Sequence, residues 1–237
     1  DAQESRGLGD VYKRQNLPFW FAFFTRLNFE VVLSPESSRK LYLKGQHTIP
    51  SDTVCYPAKL LHGHVEALVD AGVDAVWYPC MSYNNDEGIG DNHYNCPVVA
   101  YYPELLAANV PALKQTRFLD PYVGLWRHKD FEKRVAQMMY DTFDIPKRET
   151  AAAARAAYEA YDAYVHDVRE TGKQYIAYAR AHDMPIIVAC GRPYHIDPEI
   201  NHGINDLITS FGFVLVTEDA PVSYTHLRAH ETPEHLV

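Results

Sequence analysis

Apolar positions along the chain fall into short β-branched runs alternating with longer stretches spaced at helical intervals, a pattern that predicts an α/β fold with parallel sheets. Leu17–Leu27 (LPFWFAFFTRL) is apolar nearly all round and reads as a buried helix. Phe29–Leu33 (FEVVL) reads as a strand that Ser34-Pro35 ends. Ser37–Lys44 makes a short basic helix closed by Gly45. Ser51 and Asp52 offer a cap just ahead of Cys55, and Pro57 suits a first helical turn. Leu60, Leu61, His64, Leu68 and Val69 carry that helix to Asp70, where Ala71-Gly72 stops it. Val73–Tyr78 is then a strand that delivers Pro79-Cys80 at its C-terminal end.

Asn84–Asn95 is a polar, glycine-bearing loop, suited to a lid or a ligand-facing segment, with Asp86, Glu87 and Asp91 solvated. After Pro97 the pattern predicts a short strand, Val98–Tyr101, and a helix from Pro103 to Ala108. Phe118–Trp126 is a connector with room for one strand, and Asp130–Phe143 is amphipathic. Thr150–His182 reads as a long helix, a spine between two lobes, with Tyr158, Tyr161, Val165, Val168, Tyr175 and Ala179 as its packing stripe. The buried strand Pro185–Cys190, the motif GRPYHIDPEINHGI, a helix over Glu199–Phe211 and the strand Phe213–Thr217 form a second βαβ unit. The expectation is two Rossmann-like lobes joined by long helices. The first α/β lobe covers 16–127, a helical connector 128–184 and a partial second lobe 185–220.

At 237 residues the chain has room for one large or two small α/β domains. A hydrophobic share of 47% with 22% charged residues is ordinary for a soluble domain. A net charge of -9 with no basic stripe argues against nucleic acid as a partner. No apolar run approaches the roughly 18 residues of a membrane span, and no signal-peptide pattern opens the chain. Four cysteines without a secretory signal read as metal or redox ligands in a reducing cytoplasm. Both ends look foreign: residues 1–15 and 222–237 match no element and resemble translated sequencing-adapter sequence, so the natural part is expected to be a fragment over 16–220. His226, His230 and His235 then carry no function.

Cys55 opens a helix, Cys80 closes a strand and Cys96 starts the next element, so all three stand at element ends over one edge of the sheet. That edge is where open α/β sheets bind ligands. Soft thiolates suit iron–sulfur clusters, and a helix N-terminus at Cys55 favours both thiolate and anionic cluster. The spacing C-x24-C-x15-C is not a compact ferredoxin run, and ordinary buried thiols account for it as well. Zinc fits less well, because no C-x2-C pair is present. Three ligands would leave one iron open to substrate or to a fourth group. Gly191, Arg192, Tyr194 and His195 follow a buried strand and are expected at the same edge. There Arg192 could pair with a CoA phosphate, an acidic partner or the cluster charge, and His195 or His202 could supply a ligand or a proton. A structural arginine in a capping loop explains the motif equally. Cys190 reads as core, and His62 and His64 as surface and packing residues.

The runs CYPAKLLHGH, GVDAVWYPC, NCPVVAYYPELL and GRPYHIDPEINHGI together resemble the CoA enzyme activase uncharacterised domain of 2-hydroxyacyl-CoA dehydratase activator-related proteins. The layout is similar to the D-component subunits of those dehydratases, and the likeness covers nearly all of 16–220. It implies a [4Fe-4S] cluster on Cys55, Cys80 and Cys96 that takes an electron from an ATP-driven activator and passes it to an acyl-CoA thioester, making a ketyl radical that loses water. It implies as partners the activator, an acyl-CoA and a homo- or heterodimer mate. Two departures stand beside it. A strand is expected before Leu17, where the foreign sequence lies, and no phosphate-binding glycine loop assigns ATP hydrolysis to this chain. The rivals are a non-catalytic module that docks the activator and a metal-free domain that binds CoA through Arg192 and the loop near Asn84.

Overall fold

The computed structural model describes residues 11–83, 93–191 and 193–220; Asp86, Glu87, Asp91 and Arg192 lie outside them. The chain divides into two units, Asp1–Tyr161 with Pro193–Ile200, and Asp162–Arg192 with Asn201–Val237.

In the first unit, α1 (Val11–Arg26) is the buried apolar helix that its sequence predicts, starting earlier. Phe19 and Phe23 are fully buried, and Trp20 nearly so. Their rings meet Phe131 and Tyr158 edge-on, with centroids 5.3 Å and 4.8 Å from Phe19. Each aromatic buried this way contributes about 1.5–3 kcal/mol of transfer free energy, plus a smaller term for ring geometry. Phe131, Val135 and Met139 come from α5 (His128–Phe143), whose apolar stripe faces this core. Ala153, Ala154 and Ala157 come from the first half of α6 (Lys147–Ala181), small enough to let that helix lie close.

The second core of this unit surrounds a parallel pair. α2 (Arg39–Gly45) is capped by Ser38, whose hydroxyl accepts from the Leu41 amide at 3.2 Å. α3 (Tyr56–Asp70) ends at Gly72, which takes the left-handed conformation at φ 74°. The strand β1 (Ala75–Trp77) follows, then α4 (Pro97–Asn109) and β2 (Arg117–Leu119). β1 and β2 run parallel in the register Ala75↔Arg117, Val76↔Phe118 and Trp77↔Leu119. Bonds from the Tyr78 amide to the Leu119 carbonyl and from the Cys80 amide to the Pro121 carbonyl extend the ladder past the strand ends. Leu61 and Val65 of α3 and Tyr102 and Leu106 of α4 close over it.

Two predicted strands are not strands. Val98–Tyr101 is the first turn of α4, because Pro97 presets a helical φ and Val99, Tyr102 and Leu106 then form one buried stripe. Phe29–Leu33 keeps strand-like alternation, with Phe29, Val31 and Leu33 half-buried and Glu30 and Val32 exposed, yet joins no ladder among the described residues. The caps also differ from expectation, since Cys55 itself is the N-cap of α3 and not Ser51 or Asp52.

In the second unit, β3 (Ile186–Ala189) and β4 (Val214–Thr217) form a parallel pair in the register Ile186↔Val214 to Ala189↔Thr217. Ile176 and Ala179 of α6 pack on Val214 and Val216. Ile176 faces inward where the sequence pointed to Tyr175, which is 56% exposed. The helix expected over Glu199–Phe211 breaks into α7 (Pro198–Asn201) and α8 (Ile204–Ser210), because His202 and Gly203 both take positive φ. Cys190 is exposed and not core, one position past β3 where the strand's cover ends. Among the described residues no helix is long and apolar enough to cross a membrane.

Candidate functional site

The parallel pair of the first unit ends at the bridge between Cys80 and Tyr122. Each strand carries the chain up to this edge, and the helix after β1 starts beyond it. Cys55 caps α3 and Cys96 caps α4 in nearly the same backbone conformation, φ -62° and ψ 152° against φ -63° and ψ 154°. Neither side chain takes up a capping hydrogen bond, and each helix has proline within its first two positions. Proline removes one of the amides that a helix start otherwise leaves unbonded, so a thiol can stand at the cap in place of the usual Ser or Asp. Cys55 is exposed and Cys96 half-buried. Both sit at the positive end of a helix dipole, which favours a bound anion.

Cys80 is in a different setting. Its amide bonds the Pro121 carbonyl at 3.0 Å, its carbonyl accepts from Val123 at 3.1 Å, and the residue is 1% exposed. Burial pushes its thiol up to about 11, and the negative charges of Asp120 and Glu104 push the same way. The Tyr122 hydroxyl donates to Glu104 Oε1 at 2.6 Å and lies close to the Cys80 thiol. That bond to Glu104 is the main reason the Tyr122 phenol is held well above its ordinary range. Glu104 lies eight residues past Cys96 on α4, so at 1.5 Å per residue the Cys80 thiol rests beside a point about 12 Å along the helix from the Cys96 cap. Among the described residues no three His, Cys, Asp or Glu side chains converge to hold a metal ion. Cys55 and Cys96 thus stand at helix starts without a capping bond, and Cys80 is buried with its thiol held protonated.

Aromatic rings flank this edge. Tyr83 packs against Trp126 at 4.8 Å and Tyr94 at 5.0 Å, and the Arg127 guanidinium lies 4.0 Å over the Trp126 ring.

The same unit holds a buried polar network. Of the two histidines expected as surface and packing residues, both are packed, His62 at 0% and His64 at 2% exposure, and neither is at the surface. His62 Nδ1 stands 2.7 Å from Thr48 Oγ1 and its Nε2 3.0 Å from the Tyr102 hydroxyl. Burial lowers its pKa to about 4, so the ring is neutral. His64 meets Ser34 Oγ at 2.9 Å and Ser37 Oγ at 3.1 Å, and the Ser37 hydroxyl donates to Asp197 at 2.7 Å. The Tyr56 hydroxyl donates to Glu199 at 2.8 Å, and burial, reinforced by that carboxylate, lifts its pKa to about 12. These bonds fix the Pro193–Ile200 segment against α2 and α3, with Tyr194 half-buried and His195 exposed. A signal for the buried histidines was present in Gly45 and Gly63. A Cβ at Gly63 would run into the Leu41 carbonyl, and one at Gly45 into the backbone of His62 and Gly63. The two helices therefore cross in direct backbone contact, and the side chains flanking the crossing are sealed in.

The model of the CoA enzyme activase uncharacterised domain matches residues 11–220. No curated protein and no solved structure matches the chain.

Proposed function

Because the chain belongs to the family of the CoA enzyme activase uncharacterised domain, we propose that it is a [4Fe-4S]-binding redox domain of the 2-hydroxyacyl-CoA dehydratase and activator type, with Cys55, Cys80 and Cys96 as cluster ligands. In this reading it takes low-potential electrons from an ATP-dependent activator and serves an acyl-CoA or similar substrate. One observation supports it: Cys55 and Cys96 stand on matched helix starts with thiols that cap nothing, and Cys80 ends the β1 ladder. Cap positions normally go to Ser, Thr, Asp or Asn, so two cysteines there give up capping energy of about 1 kcal/mol each for some other use. Loading the cluster requires Cys80 to lose its proton and leave the contact with Glu104 and Tyr122. Tyr194 and His195 belong to the segment held near Tyr56 and, together with Arg192, are proposed to meet the substrate or its phosphates.

The enclosure of Cys80 favours a second reading, in which the domain holds no metal and works as a docking module for the activator or as a CoA-binding α/β domain. Anaerobic purification followed by iron and acid-labile sulfide analysis separates the two. Cluster binding predicts a brown protein that loses iron in Cys55→Ser, Cys80→Ser and Cys96→Ser alike. Colourless, iron-free protein from a strictly anaerobic preparation removes the first reading. A brown protein that keeps its iron in Cys80→Ser retains the cluster and strikes Cys80 from the ligand set.

A further inference from the structure

The groove between the first half of α5 and the start of α6 collects positive charge. It is an open concavity of about 990 Å³ whose walls carry Lys129, Lys133, Arg134, Lys147 and Arg148, all exposed. The two carboxylates on the same walls are already engaged. Asp130 lies 3.6 Å from Arg127 and Glu132 2.9 Å from Arg155, and neither of those arginines lines the groove. Lys147 donates to Gln137 and lies 5.5 Å over the Tyr140 ring, both uncharged groups. Among the described residues no carboxylate pairs with any of the five cations. Five uncompensated positive charges thus share one concavity on a chain whose net charge is -9. Three of them also stand where local physics disfavours them. Lys129 is in the first turn of α5, and Lys147 and Arg148 open α6, at the positive ends of two helix dipoles where acidic residues stabilise. Lys129 and Lys133 repel each other at one turn's spacing. Cations gathered against the preference of their own helices point to a ligand that they serve.

We propose that this groove docks an acidic helical segment of a protein partner, one whose carboxylates recur every four residues along one face. Charge complementarity selects the sign of the partner, and the shape of the groove selects its kind. A single phosphate is held by fixed donors that converge on it, whereas these walls are long, flexible, exposed side chains over a floor of Ala136 and Ala151. Along α5, Lys129, Lys133 and Gln137 recur every four residues, about 6 Å apart, which is the spacing of glutamates on one face of a facing helix. Such docking requires no cluster at the cysteines.

The test titrates a dye-labelled, capped peptide of Ala-Ala-Ala-Glu repeats with the whole chain and follows its anisotropy. Because the chain as a whole is acidic, the probe is repelled elsewhere and reports on the groove. Saturable binding is expected at about 50 mM salt, weakening about tenfold or more at about 200 mM. Lys129→Gln, Lys133→Gln and Arg148→Gln combined weaken it about tenfold or more. Lys40→Gln, Lys44→Gln and Lys114→Gln combined, which remove the same charge elsewhere, leave it within about twofold. The first triple variant unfolds at the parent's midpoint or about 2 °C above it, because Lys129 and Arg148 oppose their own helices. Equal weakening by both triple variants overturns the proposal in favour of net charge alone. Displacement of the peptide by inorganic pyrophosphate at a lower concentration than by unlabelled peptide overturns it in favour of a small phosphate ligand. Absence of saturable binding at the lower salt overturns it outright, as does a clearly lower midpoint in the first triple variant, which makes those cations structural.

Discussion

Two polar neighbourhoods of the first unit differ in how far their groups are satisfied. At the α2–α3 crossing, both ring nitrogens of His62 and of His64 have partners, and Thr48, Ser34, Ser37 and Asp197 are bonded with them. At the starts of α3 and α4, the Cys55 and Cys96 thiols cap nothing. A buried network with every member bonded rigidifies and specifies a fold. Reactive groups left without structural partners cost stability and are where function is sought. The histidines, the more tempting catalytic residues on paper, are therefore scaffold. The cysteines are the candidates, with Cys80 caught between the two conditions.

The scaffold side of that contrast breaks most readily at the glycines. Gly63→Ala drives a methyl group into the Leu41 carbonyl, where only backbone movement relieves it. The expected cost is about 3 kcal/mol or more, near the limit of what a domain of this size tolerates, read as a loss of cooperative urea unfolding or of soluble yield. Gly72→Ala, at positive φ but with open space around it, costs only about 1 kcal/mol. Equal effects from the two would show that the helices do not cross in backbone contact.

Acid tests the same network. His62 is neutral in the folded state down to about 4, whereas the unfolded chain protonates it near 6.5. The unfolded state thus binds the proton first, and stability that is full above pH 6.5 falls as pH drops toward 4, by up to roughly 3 kcal/mol. Glu66 works against this, since burial raises its pKa and the folded state gains its proton early. The informative quantity is the difference between the parent chain and His62→Gln in urea midpoints at pH 7.5 and pH 4.5. The variant starts less stable and has the shallower slope; parallel slopes would mean that His62 is protonated when folded.

Much of this was readable from residue patterns, and the failures have physical causes. Helices with strong periodicity or clear stops, such as α2, α3 and the long α6, follow their sequence within a few residues, whereas α1 begins at Val11, inside the 1–15 stretch expected to match no element. Parallel pairing of the strands ending at Tyr78 and Thr217 followed from the alternation of strands and helices. The Val98–Tyr101 error came from weighing β-branched propensity above the helix-starting proline, and tertiary burial decided otherwise. Phe29–Leu33 has a strand's alternation but joins no ladder among the described residues, which no local pattern reveals. That Cys55, Cys80 and Cys96 each stand at the end or start of an element was visible in the sequence. The enclosure of Cys80 by Glu104 and Tyr122 was not, because it depends on which turn of α4 faces the strand.

The cysteine side of the contrast gives the smallest stability effects and the largest kinetic ones. Cys55→Ser should change stability by less than about 0.5 kcal/mol, since the thiol is exposed and makes no cap, and serine can supply one. Cys80→Ser should cost about 1–2 kcal/mol, because a hydroxyl there is buried among groups shaped for sulfur. Reaction with a disulfide reagent at pH 8 amplifies the difference. A thiol held at about 11 is ionised to only about one part in a thousand at that pH, and Cys80 is also shielded from the reagent. Under native conditions Cys55, Cys96 and the exposed Cys190 should therefore label within minutes, leaving Cys80 to react only after denaturant is added. Fast labelling of Cys80 in the folded chain would mean that its enclosure opens readily, which removes the main structural objection to its serving as a third ligand.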